Sequence, residues 1–182
     1  LNLFKPLPEK YPPRKRLLLF VGNLSRRKGA DLLAPIMERL GQDFQLLCIG
    51  RMKPSFHLPS TVKNLPFVEL SKLPEYYNRA EMLLFPSRLE GFGYAVAEAM
   101  ACGKPVVCTN RSSLPELIDN GRGGFLCDPE DVSGFVEKIR CITETPGLAE
   151  AMGAYNRKKA ERLFSAATMA QAYAELYRSL LQ

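Results

Sequence analysis

The sequence is poor in the residues that build metal centres. Its 182 residues include a single histidine, His57, and five cysteines without a Cys-x-x-Cys pair. Structural zinc sites take four Cys or His ligands at short spacings, so we expect no zinc site. The cysteine count is odd and three of the cysteines lie in apolar runs, which favours packed, reduced thiols in a cytosolic protein. A lone loop histidine is most often solvated, so His57 is not a candidate site residue.

Two familiar phosphate-binding motifs are also absent. Neither the Walker loop GxxxxGK[ST] nor the dinucleotide fingerprint GxGxxG occurs, which argues against both kinds of site. The net charge of +6 favours anionic partners or reflects a generally basic surface. Because the basic residues are spread out, without an aromatic-interleaved stripe or a known module, we expect no nucleic-acid partner.

No stretch has the pattern of a secretory leader, and the apolar runs stop well short of the roughly 20 residues of a membrane-spanning helix. The chain begins with Leu1 rather than Met, so we expect it to be a fragment of a longer protein. Its length fits one large domain. Residues 1–16 hold four prolines and predict an extended linker, and residues 17–182 predict the folded domain.

Short apolar runs alternate with helical patterns along the domain. The predicted strands are LLLFVG, FQLLCIG, VKNLPFVEL, EMLLFP, PVVCT and GGFLCDP. Pro35 lies inside the first helical pattern and predicts a kink or a late helix start. Continuous apolar strands joined by helical crossovers predict an α/β fold with a parallel sheet covered on both faces. Ligands bind such sheets beyond the carboxyl ends of the strands, here the segments 22–29, 50–56, 86–93 and 109–115.

Two later helices have distinctive patterns. SLPE, residues 113–116, is typical of a capping box and predicts a short helix. A terminal helix is predicted over residues 166–181, and we expect its apolar face to pack against a domain absent from this chain. The apolar residues that recur there at helical spacing are Met169, Tyr173, Leu176, Tyr177 and Leu180.

The segment EGFG, which follows a predicted strand, favours phosphate binding. Gly91 and Gly93 remove side chains where a helix starts, and Phe92 stands between them. The unpaired N–H groups of a helix start carry the positive end of its dipole, so a phosphate or diphosphate is a natural ligand. A plain strand-to-helix turn that needs glycine remains the alternative.

Two glutamates flank this turn. Glu90 precedes the helix, and Glu98 is the only charged residue between positions 91 and 103. A buried carboxylate without partners costs several kcal/mol. Glu98 could accept hydrogen bonds from two neighbouring hydroxyls, as on a ribose diol. Alternatively, it could lie on a solvated helix face or pair with a basic side chain elsewhere in the chain.

Cations follow the first strand in NLSRRKG. Arg26, Arg27 and Lys28 lie at the predicted ligand edge of the sheet and could meet a diphosphate. For any one of the three, a solvated turn is the simpler interpretation.

Taken together, these residues resemble the carboxyl-terminal half of retaining glycosyltransferases of family 4, which have the GT-B fold. The signature is SRLEGFGYAVAEAMACGKPVVCTN, similar to the E-x7-E motif region, with Glu90 and Glu98 as its acids. The resemblance extends to FVGNLSRRKG, LPEYYNRAEMLLFPS and SSLPELIDNGRGGFLCDPED, and the opening LFKP is similar to the family's interdomain linker. It spans roughly residues 4–140 and implies a Rossmann-like, doubly wound parallel sheet, the C-terminal half of a GT-B fold.

The resemblance also implies roles for single residues. It assigns Glu98 to the ribose hydroxyls of a nucleotide sugar, and Glu90 with the backbone of residues 91–93 to the donor sugar and its diphosphate. Lys28 matches the lysine that neutralises the diphosphate, so Glu90 and Lys28 are the catalytic candidates. Val68 corresponds to a position beside the base, reached through backbone atoms.

One position departs from the family pattern. The family has Gly-Arg after the first strand, whereas this chain has Gly22-Asn23. Asn23 cannot supply the arginine's charge. Arg26 or Arg27 could reach the diphosphate instead, or the leaving group could be stabilised less.

The implied activity is transfer of a sugar, with retention at the anomeric carbon, from a UDP- or GDP-linked donor to an acceptor hydroxyl. Neither a cofactor nor a metal is expected, because cations and the helix start serve the diphosphate. The expected partners are the nucleotide sugar, an acceptor sugar or lipid-linked sugar, and the missing N-terminal domain. The expected location is cytoplasmic, with a peripheral position at the inner membrane face as an alternative.

The fragment is therefore expected to bind its donor without transferring sugar. The main alternative is a non-catalytic nucleotide-binding or regulatory module with the same fold, which the Asn23 departure favours. A GT-B enzyme of other chemistry, such as a nucleotide-sugar epimerase, is disfavoured by the E-x7-E spacing.

Overall fold

The structure is a computed structural model that describes residues 3–7, 16–52 and 57–181. Its centre is a six-stranded sheet in the order β3-β2-β1-β4-β5-β6, and all neighbouring strands are parallel. The predicted α/β fold with a parallel sheet is confirmed. The strands are β1 (Arg16–Val21), β2 (Phe44–Ile49), β3 (Val62–Leu65), β4 (Met82–Phe85), β5 (Val106–Thr109) and β6 (Gly124–Cys127).

Helices cover both faces of this sheet, as in a Rossmann-like fold. A 3₁₀ turn, Arg26–Lys28, precedes the first of them. The α-helices are α1 (Ala30–Leu40), α2 (Leu73–Arg79), α3 (Tyr94–Ala101), α4 (Leu114–Leu117), α5 (Val132–Glu144), α6 (Leu148–Leu163) and α7 (Ala166–Leu180).

The core lies between the sheet and these helices. All residues of β4 and β5 are buried, as expected for central strands with both faces covered. Cys48, Cys102, Cys108 and Cys127 are buried free thiols, which confirms the prediction of packed cysteines. Burial raises the pKa of the Cys48 thiol to about 12, so it stays protonated at neutral pH.

Two local predictions need correction. The late start proposed for the first helix is wrong, since α1 begins at Ala30 and runs through Pro35; the early residues Leu32 and Leu33 already pack in the core and hold its first turn. Ser113 precedes α4 as predicted, but its hydroxyl does not cap that helix. It donates instead to the carbonyl oxygen of Phe92 at 3.0 Å, because the loop before α3 lies against it.

The order of the strands places two loops side by side. Successive strands run from β1 to β3 on one side and from β4 to β6 on the other, so the loops after β1 and β4 meet where the direction changes, a common ligand position. Gly29 has φ 71°, and a Cβ there would lie 2.0 Å from the carbonyl oxygen of Pro86. Glycine thus allows the loop after β1 to press against the end of β4.

Most of the predicted linker, residues 1–16, lies outside the described residues. Strand β1 begins at its last residue, Arg16. Residues 3–7 lie against α2 and α6: the Leu7 N–H donates to the Asn78 side chain at 2.8 Å, and Arg157 donates to the carbonyl oxygen of Phe4 at 3.0 Å. Within the described part of the chain, no helix has the length and apolar character needed to cross a bilayer.

Candidate functional site

A cavity of about 430 Å³ opens at the carboxyl edge of the sheet, between the ends of β1 and β4. It contains both candidate glutamates, the candidate lysine and the glycine turn before α3. The lining residues are Val21, Lys28, Leu73, Glu90, Gly91, Phe92, Gly93, Tyr94, Ala95 and Glu98. Segments far apart in the sequence therefore contribute to one hollow.

Lys28 and Glu90 form an ion pair inside this cavity. Lys28 Nζ lies 2.6 Å from Glu90 Oε1, and the side chains are 18% and 8% exposed. The Ser87 hydroxyl donates to the same oxygen at 2.5 Å, and the lysine ammonium lies 5.2 Å from the centre of the Phe85 ring. A carboxylate so deeply buried needs such partners, so the pair holds both charges in fixed positions.

The segment that carries Glu90 is held by the loop after β5. Ser112 Oγ donates to the carbonyl oxygen of Glu90 at 2.9 Å and accepts from its N–H at 3.2 Å. Ser112 takes a left-handed φ of 57°, unusual for a residue with a side chain. This strained position directs its hydroxyl at the Glu90 backbone, so Ser112 orients the catalytic candidate without lining the cavity.

Arg88 fastens the same segment on its other side. Its guanidinium donates to Asp31, at the start of α1, at 2.7 Å and to Glu130, just before α5, at 2.6 Å. Hydrogen bonds from Arg88 hold the pKa of Glu130 below its usual range. Burial works against the ionised form of Asp31, but the bonds from Arg88 outweigh it and lower the pKa of that carboxyl.

The start of α3 forms the floor of the cavity. Gly93 precedes the helix with φ 94°, a backbone conformation that glycine adopts readily, and no described side chain caps the helix. The first N–H groups of an α-helix lack partners within the helix and carry its positive dipole end. This floor can therefore receive an anionic group, and binding of a phosphate there stays a prediction.

Glu98 lies in the second turn of α3, half-buried on the cavity wall. Burial raises the pKa of its carboxyl, and a hydrogen bond from the Tyr77 hydroxyl, at 2.8 Å from Oε2, counteracts that effect. Among the described residues, none donates to the other carboxylate oxygen, Oε1. The acid on an apolar helix thus has one protein partner and one oxygen left for a ligand.

The remaining predicted residues lie outside the cavity wall. Asn23 Oδ1 accepts from the Arg51 N–H at 3.1 Å, which ties the ends of β1 and β2 together. Arg26 is exposed, and Arg27 donates to the Leu89 carbonyl oxygen at 2.9 Å. Val68 is half-buried against the core. None of the four is part of the lining as described.

Sequence reasoning missed three residues that hold the site, namely Tyr77, Ser87 and Ser112. Ser112 does fall in the segment 109–115, which the strand pattern marks as a ligand edge. Tyr77 has no local signal, because its partner Glu98 is 21 positions away.

Comparison with known families gives a match over most of the chain. The model of the family described as glycosyl transferases group 1 matches residues 6–159. The D-inositol 3-phosphate glycosyltransferase of Corynebacterium jeikeium is 30% identical over 188 aligned positions, which cover 93% of this chain and 45% of that protein.

Solved structures are also similar to this chain over nearly its whole length. The sucrose-phosphate synthase of Thermosynechococcus elongatus superposes with a TM-score of 0.88 at 28% identity, covering 99% of this chain and 50% of that one. Anabaena HepE in complex with UDP and glucose gives a TM-score of 0.87 at 22% identity, covering 98% of this chain and 54% of that one. The chain thus spans about half the length of each of these three proteins.

Proposed function

The chain belongs to the glycosyl transferases group 1 family, and from that premise we propose that it is the donor-binding domain of a retaining glycosyltransferase of family 4. The reaction is transfer of a sugar from a UDP- or GDP-linked donor to an acceptor hydroxyl. The observation that carries the proposal is that Lys28, Glu90 and Glu98 line one cavity together with the start of α3.

The three charged lining residues and the start of α3 each have a part in donor binding. Glu98 Oε1 accepts from the ribose hydroxyls. The α3 start and Lys28 bind the diphosphate, since an ammonium that donates to Glu90 keeps further N–H groups for phosphate oxygens. Glu90 contacts the donor sugar. The crystal structure of Anabaena HepE in complex with UDP and glucose supports this choice of ligand.

The chemistry follows from the same groups. As the bond between the anomeric carbon and the diphosphate breaks, negative charge grows on the leaving group, where Lys28 and the helix start stabilise it. The acceptor hydroxyl attacks from the face that the diphosphate leaves and passes its proton to the departing diphosphate oxygen, so the anomeric configuration is retained. We propose that neither a metal nor a cofactor takes part.

The other half of the protein is proposed to carry the acceptor site. This chain spans about half the length of its relatives, so it binds the nucleotide sugar but does not transfer the sugar alone. The acceptor is a sugar or a lipid-linked sugar. The linker, residues 1–16, joins the two halves, and the location is the cytoplasm or its face of the membrane.

Isothermal titration calorimetry with UDP, GDP and their glucose and mannose conjugates tests this proposal. We expect one nucleotide series to bind with 1:1 stoichiometry, and Glu98→Ala to weaken binding at least tenfold. Glu38→Ala, at an exposed position of α1, is the matched control and should bind like the unmodified chain. Heat effects absent for every nucleotide would refute the proposal.

A second candidate is a nucleotide-binding module without turnover. It is favoured by Asn23, which is engaged with Arg51 and brings no charge, and by Arg26 and Arg27, which lie outside the cavity wall. Under this alternative the nucleotide binds as above, but the complete protein releases no nucleoside diphosphate from any donor sugar, with or without acceptors. Release of nucleoside diphosphate by the complete protein would exclude it.

A further inference from the structure

Tyr77 is a buried residue that contacts the site without lining it. It lies in α2, is 1% exposed and is not part of the cavity wall. Its hydroxyl lies 2.8 Å from Glu98 Oε2 and 3.2 Å from the carbonyl oxygen of Ala95. Through these two contacts α2 is joined to the part of α3 that presents Glu98.

Phe4 contacts the ring of Tyr77. The two rings meet edge to face, with centroids 5.9 Å apart and planes at 78°. Phe4 is itself fixed, since Arg157 of α6 donates to its carbonyl oxygen. Asn78 adds further bonds, donating to the carbonyl oxygen of Lys5 at 2.9 Å and accepting from the Leu7 N–H at 2.8 Å. Residues 3–7 are thus docked on the residue that holds Glu98.

The Tyr77 hydroxyl suits both protonation states of Glu98. It has one proton and can also accept. When Glu98 is ionised, the Tyr77 hydroxyl donates to Glu98 Oε2. This hydrogen bond is charge-assisted and shorter than the contact with Ala95. When Glu98 is neutral, its carboxyl O–H can donate a hydrogen bond to the Tyr77 oxygen. The Tyr77 hydroxyl then donates to the carbonyl oxygen of Ala95. Burial and the nearby Glu98 raise the pKa of Tyr77, so the phenol remains a donor at neutral pH.

We propose that Tyr77 is a positioning residue that fixes Glu98 Oε2 and so presents Oε1 to the ribose diol, and that Phe4 braces Tyr77 for this role. This deepens the proposed function and rests on it for the identity of the ligand. Docking of residues 3–7 then supports donor affinity through the contacts from Phe4 to Tyr77 to Glu98.

The groups that face Glu98 set its titration. Tyr77 faces it from α2, and Cys102 is close by at the end of its own helix. Lys28 and Glu90 line the same cavity but are paired with each other at 2.6 Å. The Tyr77 hydrogen bond favours the ionised form of Glu98, so its removal should raise the pKa of Glu98.

The first test needs no ligand. The pKa of Glu98 is measured in the 182-residue chain by ¹³C NMR of side-chain carboxyl groups, with Glu98→Gln assigning the signal. Tyr77→Phe should move this pKa upward. Tyr76→Phe, next along α2 and without a hydroxyl bond to any described residue, is the matched control and should leave it unchanged. An unchanged Glu98 pKa in Tyr77→Phe overturns the proposal.

The second test measures affinity for UDP and GDP by calorimetry. Tyr77→Phe should weaken binding of the nucleotide that the unmodified chain binds by about five- to tenfold, the size expected for loss of one typical hydrogen bond. In the Glu98→Gln background the same substitution should change affinity less than twofold. Equal losses in both backgrounds would assign Tyr77 a merely structural role.

Affinity as a function of pH gives a further readout. Binding needs the ionised form of Glu98, so it should fall as pH drops through the Glu98 pKa. In Tyr77→Phe this midpoint should lie at higher pH, which loss of packing alone would not produce. A midpoint identical to that of the unmodified chain contradicts the proposal.

The brace is tested by Phe4→Ala, with Leu3→Ala at the exposed neighbouring position as control. Phe4→Ala should weaken nucleotide binding two- to fivefold, and this loss should vanish in the Tyr77→Phe background. If no nucleotide binds the unmodified chain, the proposed function fails, while the NMR titration still decides the role of Tyr77.

Discussion

Glu98 is a residue whose placement opposes stability. Because burial raises the pKa of this carboxyl, its ionisation is harder in the folded than in the unfolded chain. The folded state is therefore penalised as pH rises above the ordinary range of a glutamate, about 4.3. Such a penalty is typical of a group retained for binding rather than for folding.

Glu98→Gln should accordingly stabilise the chain while weakening nucleotide binding at least tenfold. At pH 8 we expect its free energy of unfolding to rise by about 1 kcal/mol, the scale of a partly desolvated charge. At pH 3.5 the difference should be small, because Glu98 is then mostly protonated in both states. Urea titrations at pH 3.5, 6 and 8 measure it.

The control is Glu38→Gln, at an exposed position of α1, which should change stability little at any pH. A Glu98→Gln chain that is less stable than the unmodified one at pH 8 would show that ionised Glu98 contributes to folding.

In contrast to Glu98, the ion pair of Lys28 and Glu90 should stabilise the folded state. Glu90 is 8% exposed in its side chain, so Lys28→Met leaves a buried carboxylate with Ser87 as its remaining hydroxyl donor. We expect a loss of about 3 kcal/mol in unfolding free energy. In Lys28→Met/Glu90→Gln the loss should be smaller than the sum of the single losses by about 1 kcal/mol or more.

Lys138 and Glu137 supply the comparison, because their ion pair of 2.7 Å lies at the surface. Lys138→Met should alter stability by less than about 1 kcal/mol. Additive losses at positions 28 and 90 in denaturant titrations would mean that the two charges do not support each other.

How well the sequence predicts a contact between site residues depends on how far apart these residues are in the sequence. Glu90 and Glu98 flank a glycine turn within one helix entry, so their common location follows from local pattern. Lys28 follows from the rule that carboxyl ends of parallel strands meet at one edge. The hydrogen bond from the Ser112 hydroxyl to the Glu90 carbonyl oxygen depends on a left-handed φ at Ser112. A serine at that position does not predict such a φ.

At the scale of elements, α7 differs from every other α-helix in the part of the chain that the structure describes. Its amphipathic pattern was predicted, and the structure gives a helix at Ala166–Leu180, but none of its residues is buried. Met169, Tyr173, Leu176 and Tyr177 are each more than half exposed. Periodicity predicts that a face is apolar, whereas its partner is decided by the rest of the molecule, so the packing of α7 on a missing domain stays a prediction.

Deletion of residues 165–182 should therefore leave the domain folded and reduce self-association. The helix buries no side chain here, so we expect the free energy of unfolding to change by less than about 1 kcal/mol. Exposed apolar surface of this kind promotes association. Light scattering coupled to size exclusion should show oligomers for the full chain at high concentration and monomers for the deletion.

Tyr173→Glu/Tyr177→Glu is the matched variant, since it keeps the helix and removes two rings that stack 6.5 Å apart. It should also be monomeric. A deletion variant that is already unfolded at room temperature would show instead that α7 is part of the core.

At the scale of the whole molecule, the sheet brings together loops from two halves of the fold. Parallel pairing could be predicted from the sequence, but the order of the strands could not. Apolar runs indicate that a strand is buried, but they do not determine which strands lie next to it. The cavity at the switch between β1 and β4 draws on Lys28 from one side and on Glu90 and Glu98 from the other. A ligand that bridges these groups should therefore stabilise the domain as a unit.

Nucleotide binding should raise the melting temperature of the 182-residue chain. At a nucleotide concentration about 100 times the dissociation constant, the free energy of unfolding should rise by about 2.7 kcal/mol. This corresponds to an increase in melting temperature of roughly 5–10 °C for a domain of this size. Differential scanning fluorimetry with UDP and GDP measures the shift, and Glu98→Gln should reduce it to about half or less at the same nucleotide concentration. Transfer assays should find no product with this chain and donor sugar alone, and product once the complete protein is used. Sugar transfer by the chain alone would place the acceptor contacts within these residues and contradict the proposed division of the protein into two halves.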